Sequence, residues 1–160
     1  MKLKIRKGKE KDFPAFLSLL HDEAVFDGSP KSVVKNSIEQ MKREKKYINF
    51  FIAEENGNVI GVAVYSFAYY PWVGKSLYVE DLYVKSEYRS AGVGTKLLIK
   101  IFEVAQKEGC NRLRWEVEEK NIGAQKFYRK LGAKMGDKWF DCDLDQKGIK
   151  SFIKSNTDKA

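Results

Sequence analysis

The stretch that decides the fold runs from Leu77 to Ala105 and reads LYVEDLYVKSEYRSAGVGTKLLIKIFEVA. Its first part, Leu77 to Val84, is a mostly apolar run typical of a central strand, and only Glu80 and Asp81 interrupt it. Its last part places apolar residues at helical spacing from Val93 to Ala105. The stretch therefore predicts a strand, a glycine-rich turn and a helix.

The residues before this stretch predict a strand, two helices and a hairpin. Alternation of apolar and charged residues indicates the strand, and capping residues mark the helix starts. Asn56-Gly57 is a strong signal for the hairpin turn. The predicted elements are an edge strand at Leu3 and Ile5, a helix capped by Asp12 that ends near Phe26, a helix begun by Ser29-Pro30 with Val34, Ile38 and Met41 on one face, and strands Ile48–Ala53 and Val59–Tyr70.

The residues after this stretch predict a further strand and helix, followed by a last strand and a tail helix. Gly109 ends the long helix as a left-handed cap would, and Arg112 to Glu118 then alternates as a strand does. The remaining predicted elements are a helix from Asn121 to Gly132, a strand with Phe140, Cys142 and Leu144 on one face, and an amphipathic helix with Ile149, Phe152 and Ile153.

This order of elements predicts a mixed α/β domain. Most neighbouring strands are joined by short turns, which favours antiparallel pairs, while the strand-helix-strand unit requires one parallel crossover. We expect a mostly antiparallel sheet with helices on both faces. No linker or repeat divides the 160 residues, so we predict a single domain over residues 1–160, with a disordered tail from about residue 155.

Composition narrows the function classes. No apolar run reaches the ~18 residues of a membrane span, and Met1 to Ile5 lacks a signal-peptide core, so we expect a cytoplasmic protein without membrane contact. Two cysteines, Cys110 and Cys142, and one histidine, His21, show no metal-ligand spacing, and we expect no metal. The net charge of +8 favours anionic ligands, but no basic and aromatic stripe supports nucleic-acid binding.

The turn Arg89-x-x-Gly92-x-Gly94 lies between the predicted central strand and its helix. Residues without a Cβ allow backbone N–H groups to converge on an anion at a helix N-terminus, as a pyrophosphate requires. The spacing is neither a Walker motif nor a full dinucleotide fingerprint. Taken alone, it fits a plain glycine-rich turn equally well.

A resemblance to a known superfamily favours the phosphate-binding interpretation of this turn. Val79–Val84 followed by Glu87–Gly94 resembles motif A of the GNAT acetyltransferase superfamily, and Asn121–Ala133 resembles its Asn…Ala…Phe-Tyr…Gly-Ala block. Within that superfamily, Tyr70–Lys75 leading into Asp81 is most similar to the diamine (spermidine/spermine) and thialysine acetyltransferases. The chain departs from them at Ser90, where they usually carry glycine, and in a shorter segment between Gly132 and Trp139.

The resemblance implies acetyl-CoA as donor, a β-bulge at Glu80 and Asp81, Glu80 as the base acting through water, and Tyr128 as the acid toward sulfur. Without the resemblance, Glu80 and Asp81 would read as an acid pair that blunts a sheet edge, and Tyr128 as a core aromatic. The implied cofactor residues are Leu82, Tyr83, Val84, Arg89, Ser90, Ala91, Gly92, Val93, Gly94, Thr95, Asn121, Ala124 and Lys130.

The acceptor implied by the resemblance is a cationic amine, with a di- or polyamine such as spermidine as the leading prediction. Thialysine, a lysine-like amino acid and a protein lysine remain alternatives, and a coenzyme A or nucleic-acid binding module is the alternative without catalysis. Relatives also suggest a homodimer. The predicted acceptor-binding residues are Asp27, Trp72, Glu80, Asp81 and Asp137.

Overall fold

A computed structural model of the protein describes residues 3–136 and 144–157. The chain divides into two compact units, Met1–Glu116 and Val117–Ala160. The first unit contains β1 Leu3–Lys7, α1 Phe13–Phe26, α2 Ile38–Arg43, β2 Asn49–Glu55, β3 Asn58–Tyr70, β4 Gly74–Val84, α3 Val93–Lys107 and β5 Arg112–Arg114. The second contains α4 Ile122–Lys130 and α5 Gln146–Thr157.

The five strands of the first unit form one sheet in the order β1-β2-β3-β4-β5. The first three pairs are antiparallel, and β4 and β5, which α3 connects, are parallel. The predicted mixed sheet with a single parallel crossover is therefore confirmed within the described residues.

Helices cover both faces of this sheet. On one face, α1 packs through Phe16, whose ring stacks on Phe50 of β2 at 4.8 Å between centroids, and Val62 and Val64 of β3 belong to the same core. On the opposite face, Gly61 lies against α3, because a Cβ at that position would come within 3.4 Å of Leu97 Cδ1. Side chains of β3 alternate between these two cores.

The start of α2 and the capping bond of α1 differ from the sequence prediction, while α1 begins after Asp12 and ends at Phe26 as predicted. Ser29-Pro30 does not begin α2, since Pro30 leads only into a 3-10 turn, Lys31–Val33, and Val34 is extended. The N-cap is instead Ser37, whose hydroxyl accepts a hydrogen bond from Gln40 N at 3.1 Å. Asp12 does not cap α1 through its side chain either, because its carboxylate accepts bonds from both terminal nitrogens of Arg6 at 2.8 Å.

The C-terminal part agrees with the prediction in part. Strand β5 ends at Arg114 instead of Glu118. The apolar residues of the predicted tail helix lie in α5, which continues to Thr157 past the point where we expected order to end. The predicted strand residues Phe140 and Cys142 lie outside the described residues, and the single domain stays a prediction. Over the described ranges, no helix combines the length and apolar character that a membrane span requires.

Candidate active site

The centre of the candidate site is an irregularity in β4. Val64 of β3 pairs with Asp81, but the next residue, Tyr65, pairs with Val79, so Glu80 is an extra residue without a partner in the register. This is the β-bulge implied by the resemblance, and the structure confirms it. On its other edge, β4 pairs with β5 only from Ser76 to Tyr78, so parallel pairing ends directly before the bulge. The bulge therefore also explains why β5 is shorter than predicted.

The bulge brings Glu80 and Asp81 to one face of the sheet. Asp81 is opposite Val64, on the face that α1 covers. Glu80 accepts a hydrogen bond from Ser66 Oγ at 2.7 Å, and Ser66 has the same strand parity as Val64. In a regular strand the two carboxylates would point to opposite faces.

Two further carboxylates, from α1, approach this pair. Asp27 directly follows α1, and Glu23 lies one turn earlier. The pKa of Glu23 is raised to about 8, chiefly by burial and then by the charges of Asp81 and Asp27, with Arg89 opposing the shift. The pKa of Asp81 is raised by burial and by Glu80 and Asp27. These residues, Glu23, Asp27, Glu80 and Asp81, are called the acidic cluster below.

Sequence analysis missed Glu23. Its only signal is its position four residues before Asp27, which places both on the same helix face. Within the described residues, no group of three or more His, Cys, Asp or Glu side chains has an arrangement that could hold a metal ion. The acidic cluster can instead attract an organic cation, because desolvated carboxylates with raised pKa values gain from a nearby positive charge.

Arg89 is fixed between two aromatic rings beside the acidic cluster. Its Cζ lies 3.8 Å from the ring centroid of Phe26 and 5.3 Å from that of Tyr83, and its Nε donates to Val84 O at 2.8 Å. Together with Lys31 and Lys85, Arg89 lines a cleft of about 430 Å³. The cleft thus presents three cationic side chains close to the glycine turn, together with the two acidic side chains of Asp22 and Glu87.

The glycine turn has two left-handed residues. Ser90 has φ +63° and Gly92, the N-cap of α3, has φ +77°. Glycine adopts this conformation without cost, whereas for Ser90 it costs about 1 kcal/mol. Ala91 and Gly92 are exposed, and Val93 is buried beneath them.

Gly94 tests whether the turn fits a pyrophosphate group. Its φ is not positive, and a Cβ at this position would meet only Val84 Cγ2, at 3.9 Å. Neither backbone conformation nor packing within the described protein therefore requires glycine here. A ligand that closely approaches the first turn of α3 does require it, because a side chain would fill the cradle. The residues present fit the phosphates of coenzyme A, with Arg89 to Thr95 as the segment that would hold them.

The second unit carries the remaining predicted residues. Asn121 caps α4, since its Oδ1 accepts a hydrogen bond from Ala124 N at 3.0 Å. The ring of Tyr128 lies 5.3 Å from that of Phe127, and Lys130 is the last residue of α4. Their roles stay predictions. Asp137 lies outside the described residues.

Trp72, a predicted acceptor-binding residue, has a side chain almost fully exposed to solvent. It lies in the turn between β3 and β4, and its side chain is 99% exposed. Its predicted role in acceptor binding stays a prediction.

Comparison with known proteins decides the family. The family model described as Acetyltransferase (GNAT) family matches residues 13–133, which is more than half of the chain. The protein belongs to the GNAT acetyltransferase family. This GNAT acetyltransferase is 35% identical over 141 residues to a thialysine N-epsilon-acetyltransferase of Bos taurus, covering 81% of this chain and 82% of the relative.

Other relatives agree with this assignment. The enzyme is 30% identical to an L-ornithine N5-acetyltransferase of Arabidopsis thaliana, over 89% of this chain and 63% of that protein. An integron cassette protein of V. cholerae shares the fold with a TM-score of 0.76 at 22% identity, over 96% of this chain and 99% of the other. The predicted fold class and N-acetyltransferase activity are confirmed, and acetyl-CoA is the donor that this family uses.

We predict that Gly94→Ala separates stability from cofactor affinity. Alanine is favoured over glycine in a helix by about 0.5–1 kcal/mol, so Tm should rise by about 1–4 °C. The added methyl group should raise KM for acetyl-CoA about tenfold or more, because it occupies the cradle. Thermal melts and steady-state kinetics measure the two effects, with Lys100→Ala on the same helix as control. An unchanged KM would contradict the proposed position of the phosphates.

Proposed function

We propose that this enzyme transfers the acetyl group of acetyl-CoA to a terminal primary amine of an aliphatic acceptor with a second amino group, of which di- and polyamines such as spermidine are the type. The observation that supports this acceptor is the acidic cluster, in which α1 and the bulged strand bring four carboxyl groups to one face, Glu23 being mostly protonated at neutral pH because its pKa is raised to about 8. One charge-assisted hydrogen bond to a buried carboxylate contributes about 1.5–3 kcal/mol. A second ammonium therefore adds affinity that a monoamine lacks.

The attacking amine must lose a proton, and the leaving thiolate must gain one. A primary amine has a pKa near 10.4 and must lose a proton before it attacks the thioester. Glu80, held by Ser66, accepts that proton through a water molecule. As the C–N bond forms and the C–S bond breaks, a β4 backbone N–H at or next to Leu82 stabilises the charge on the carbonyl oxygen. The phenol of Tyr128 supplies the proton that the leaving thiolate takes up.

Tyr128→Phe should lower kcat by about 10²-fold or more, which is a typical loss for a general acid. KM for acetyl-CoA should change by less than about threefold, because the ring and its packing against Phe127 are retained. Steady-state kinetics with varied acetyl-CoA test this, and Tyr69→Phe, an exposed tyrosine of β3, is the control. Wild-type kcat in Tyr128→Phe would restrict this residue to packing.

Asp27→Asn should lower kcat/KM for spermidine about tenfold or more and leave propylamine almost unchanged. The variant removes a negative charge that would pair with the second ammonium group of spermidine. Propylamine has no second ammonium group and should therefore be almost unaffected. Both amines are compared at the same ionic strength, since exposed charges are screened. Glu39→Gln, an exposed residue of α2, controls for the change in net charge. An equal loss for both amines would make Asp27 structural.

A diamino acid is the second candidate acceptor. Thialysine and ornithine, which appear in the names of two relatives, each combine two amino groups with a carboxylate. The acidic cluster fits the amino group that reacts, but the carboxylate needs a cationic partner elsewhere in the site.

We also propose that the enzyme acts in the cytoplasm as a homodimer. The exposed side chains of Phe67, Tyr69 and Trp72 on the β3–β4 hairpin support an interface there, because aromatic side chains are enriched in interfaces. Sedimentation velocity of the purified protein checks the dimer, and a monomer at micromolar concentration would contradict it.

A further inference from the structure

Two arginines of β5 stack side by side on one tyrosine. Arg112 Cζ lies 4.1 Å and Arg114 Cζ 5.9 Å from the ring centroid of Tyr70, the last residue of β3. A guanidinium that stacks on an aromatic face keeps its N–H groups directed outward in the ring plane, where they suit a planar carboxylate. The group Tyr70, Arg112 and Arg114 is called the arginine pair below.

The arginine pair lacks an anionic partner within the described residues. Neither guanidinium forms an ion pair there. The Nε atom of Arg112 is buried and has no hydrogen-bond partner in this part of the chain. A buried donor left without an acceptor costs about 1–3 kcal/mol, so hydrogen bonding within the described fold does not account for the position of Arg112.

The arginine pair faces the same side of the sheet as Glu80. Arg114 pairs with Tyr78 of β4, Tyr78 pairs with Ser66 of β3, and Ser66 donates its hydroxyl hydrogen to Glu80. Alternation of side chains therefore places Arg114, Tyr78 and Ser66 on one face. Along β4, the arginine pair is on the Tyr78 side of Glu80, and Asp81 with the rest of the acidic cluster is on the other side.

The spacing matches a diamino acid. Tyr78 is two residues before Glu80, which corresponds to about 7 Å along a strand. A chain of about five or six single bonds, each about 1.5 Å long, joins the terminal nitrogen of ornithine or lysine to its carboxylate and covers a similar length. A terminal amine next to Glu80 thus allows the carboxylate to reach Arg114.

Glu116 completes the surroundings of Tyr78. Burial raises the pKa of the Tyr78 hydroxyl, and hydrogen bonding and charge from Glu116 raise it further. An acidic side chain therefore lies close to the level of Arg114, where the ammonium group of an α-amino acid would accompany its carboxylate.

We propose that the arginine pair is a carboxylate-binding subsite and that it makes a diamino monocarboxylic acid a better acceptor than the matching diamine. This inference rests on the proposed transfer to an acceptor with two amino groups and selects among such acceptors. The substrate lies along β4 with its reacting amine at Glu80 and its amino-acid end at Arg114.

A purely structural role for the arginine pair makes a different prediction. The same hairpin is fixed to the α3–β5 loop, since Asn111 Nδ2 donates to Val73 O at 2.9 Å and Lys75 Nζ bonds Glu108 Oε2 at 2.8 Å. If the arginine pair only reinforced this attachment, its loss would lower Tm and affect all acceptors equally.

The test compares kcat/KM for two pairs of acceptors that differ only in the carboxylate, ornithine against putrescine and lysine against cadaverine. Wild type should prefer each amino acid at least about tenfold. Arg114→Gln and Arg112→Gln should each lower kcat/KM for the amino acid at least about tenfold and leave the diamine within about twofold. Arg114→Lys retains the charge and should recover part of the loss, and Lys100→Gln on α3 is the charge control.

The outcomes separate the two proposals. Equal losses for amino acid and diamine, or no wild-type preference within a pair, would overturn the carboxylate subsite and leave transfer to a diamine in place. If none of the four compounds is acetylated, the proposed transfer to an acceptor with two amino groups is wrong, and the proposed carboxylate subsite is wrong as well. Tm of each variant is measured alongside, and Arg114→Lys keeps the test decisive if a glutamine variant does not fold.

Discussion

The site depends on one extra residue in one strand. Glu80 has no partner in the β3–β4 register, and this bulge has two consequences. It turns two consecutive carboxylates to the face covered by α1, and it ends the pairing of β4 with β5 after Tyr78. A sheet without the bulge would direct Glu80 and Asp81 to opposite faces and would allow parallel pairing to continue past Tyr78.

The net charge of this enzyme and the local charge of its acidic cluster have opposite signs. The whole chain has a net charge of +8, which favours the approach of an anionic donor, and three basic side chains line the cleft beside the glycine turn. The acidic cluster reverses this sign locally. Burying Glu23 and Asp81 near other carboxylates costs stability, as the raised pKa values of both show. In the proposed function a cationic acceptor offsets that cost beside Asp81, while Glu23 is mostly protonated in the empty cluster at neutral pH because its pKa is raised to about 8.

The face of the sheet that carries Glu80 has side chains of opposite charge on the two sides of this residue. On one side of Glu80, the acidic cluster fits ammonium groups. On the other side, Arg112 and Arg114 fit an anion. The proposed preference for a diamino acid follows from having both groups within one substrate length of the same glutamate.

The parts of the fold with strong local signals could be predicted from the sequence. The apolar run of β4, the amphipathic face of α3 and the Asn121 cap each rest on neighbouring residues, and the structure has all three. The prediction of the bulge rested on the resemblance to the GNAT superfamily, since the alternation of residues in a strand does not show which residue lacks a partner. The cap of α2 is Ser37 and not the predicted Ser29-Pro30, since proline fits the start of a 3-10 turn as well as that of a helix.

Features that depend on distant parts of the chain could not be predicted. Glu23 acquires its raised pKa only where α1 packs near Asp81, which is 58 residues away in sequence (81 − 23). Likewise, Arg112 and Arg114 alternate as in any exposed strand, and only the pairing of β5 with β4 places them over Tyr70. In the proposed function, residues of this kind determine acceptor specificity, while the locally encoded residues build the glycine turn.

Past Tyr78, the edge of β4 is not paired with β5, and we expect acetyl-CoA to form hydrogen bonds with it. Amide hydrogen exchange of Leu82, Tyr83 and Val84, followed by NMR with and without acetyl-CoA, measures whether it does. We expect at least one of these amides, the one directed away from β3, to exchange rapidly in the free enzyme and about tenfold or more slowly with acetyl-CoA bound, because a hydrogen bond to the donor protects it. Amides that are already protected in the free enzyme, or that stay unprotected at saturating acetyl-CoA, would contradict the account.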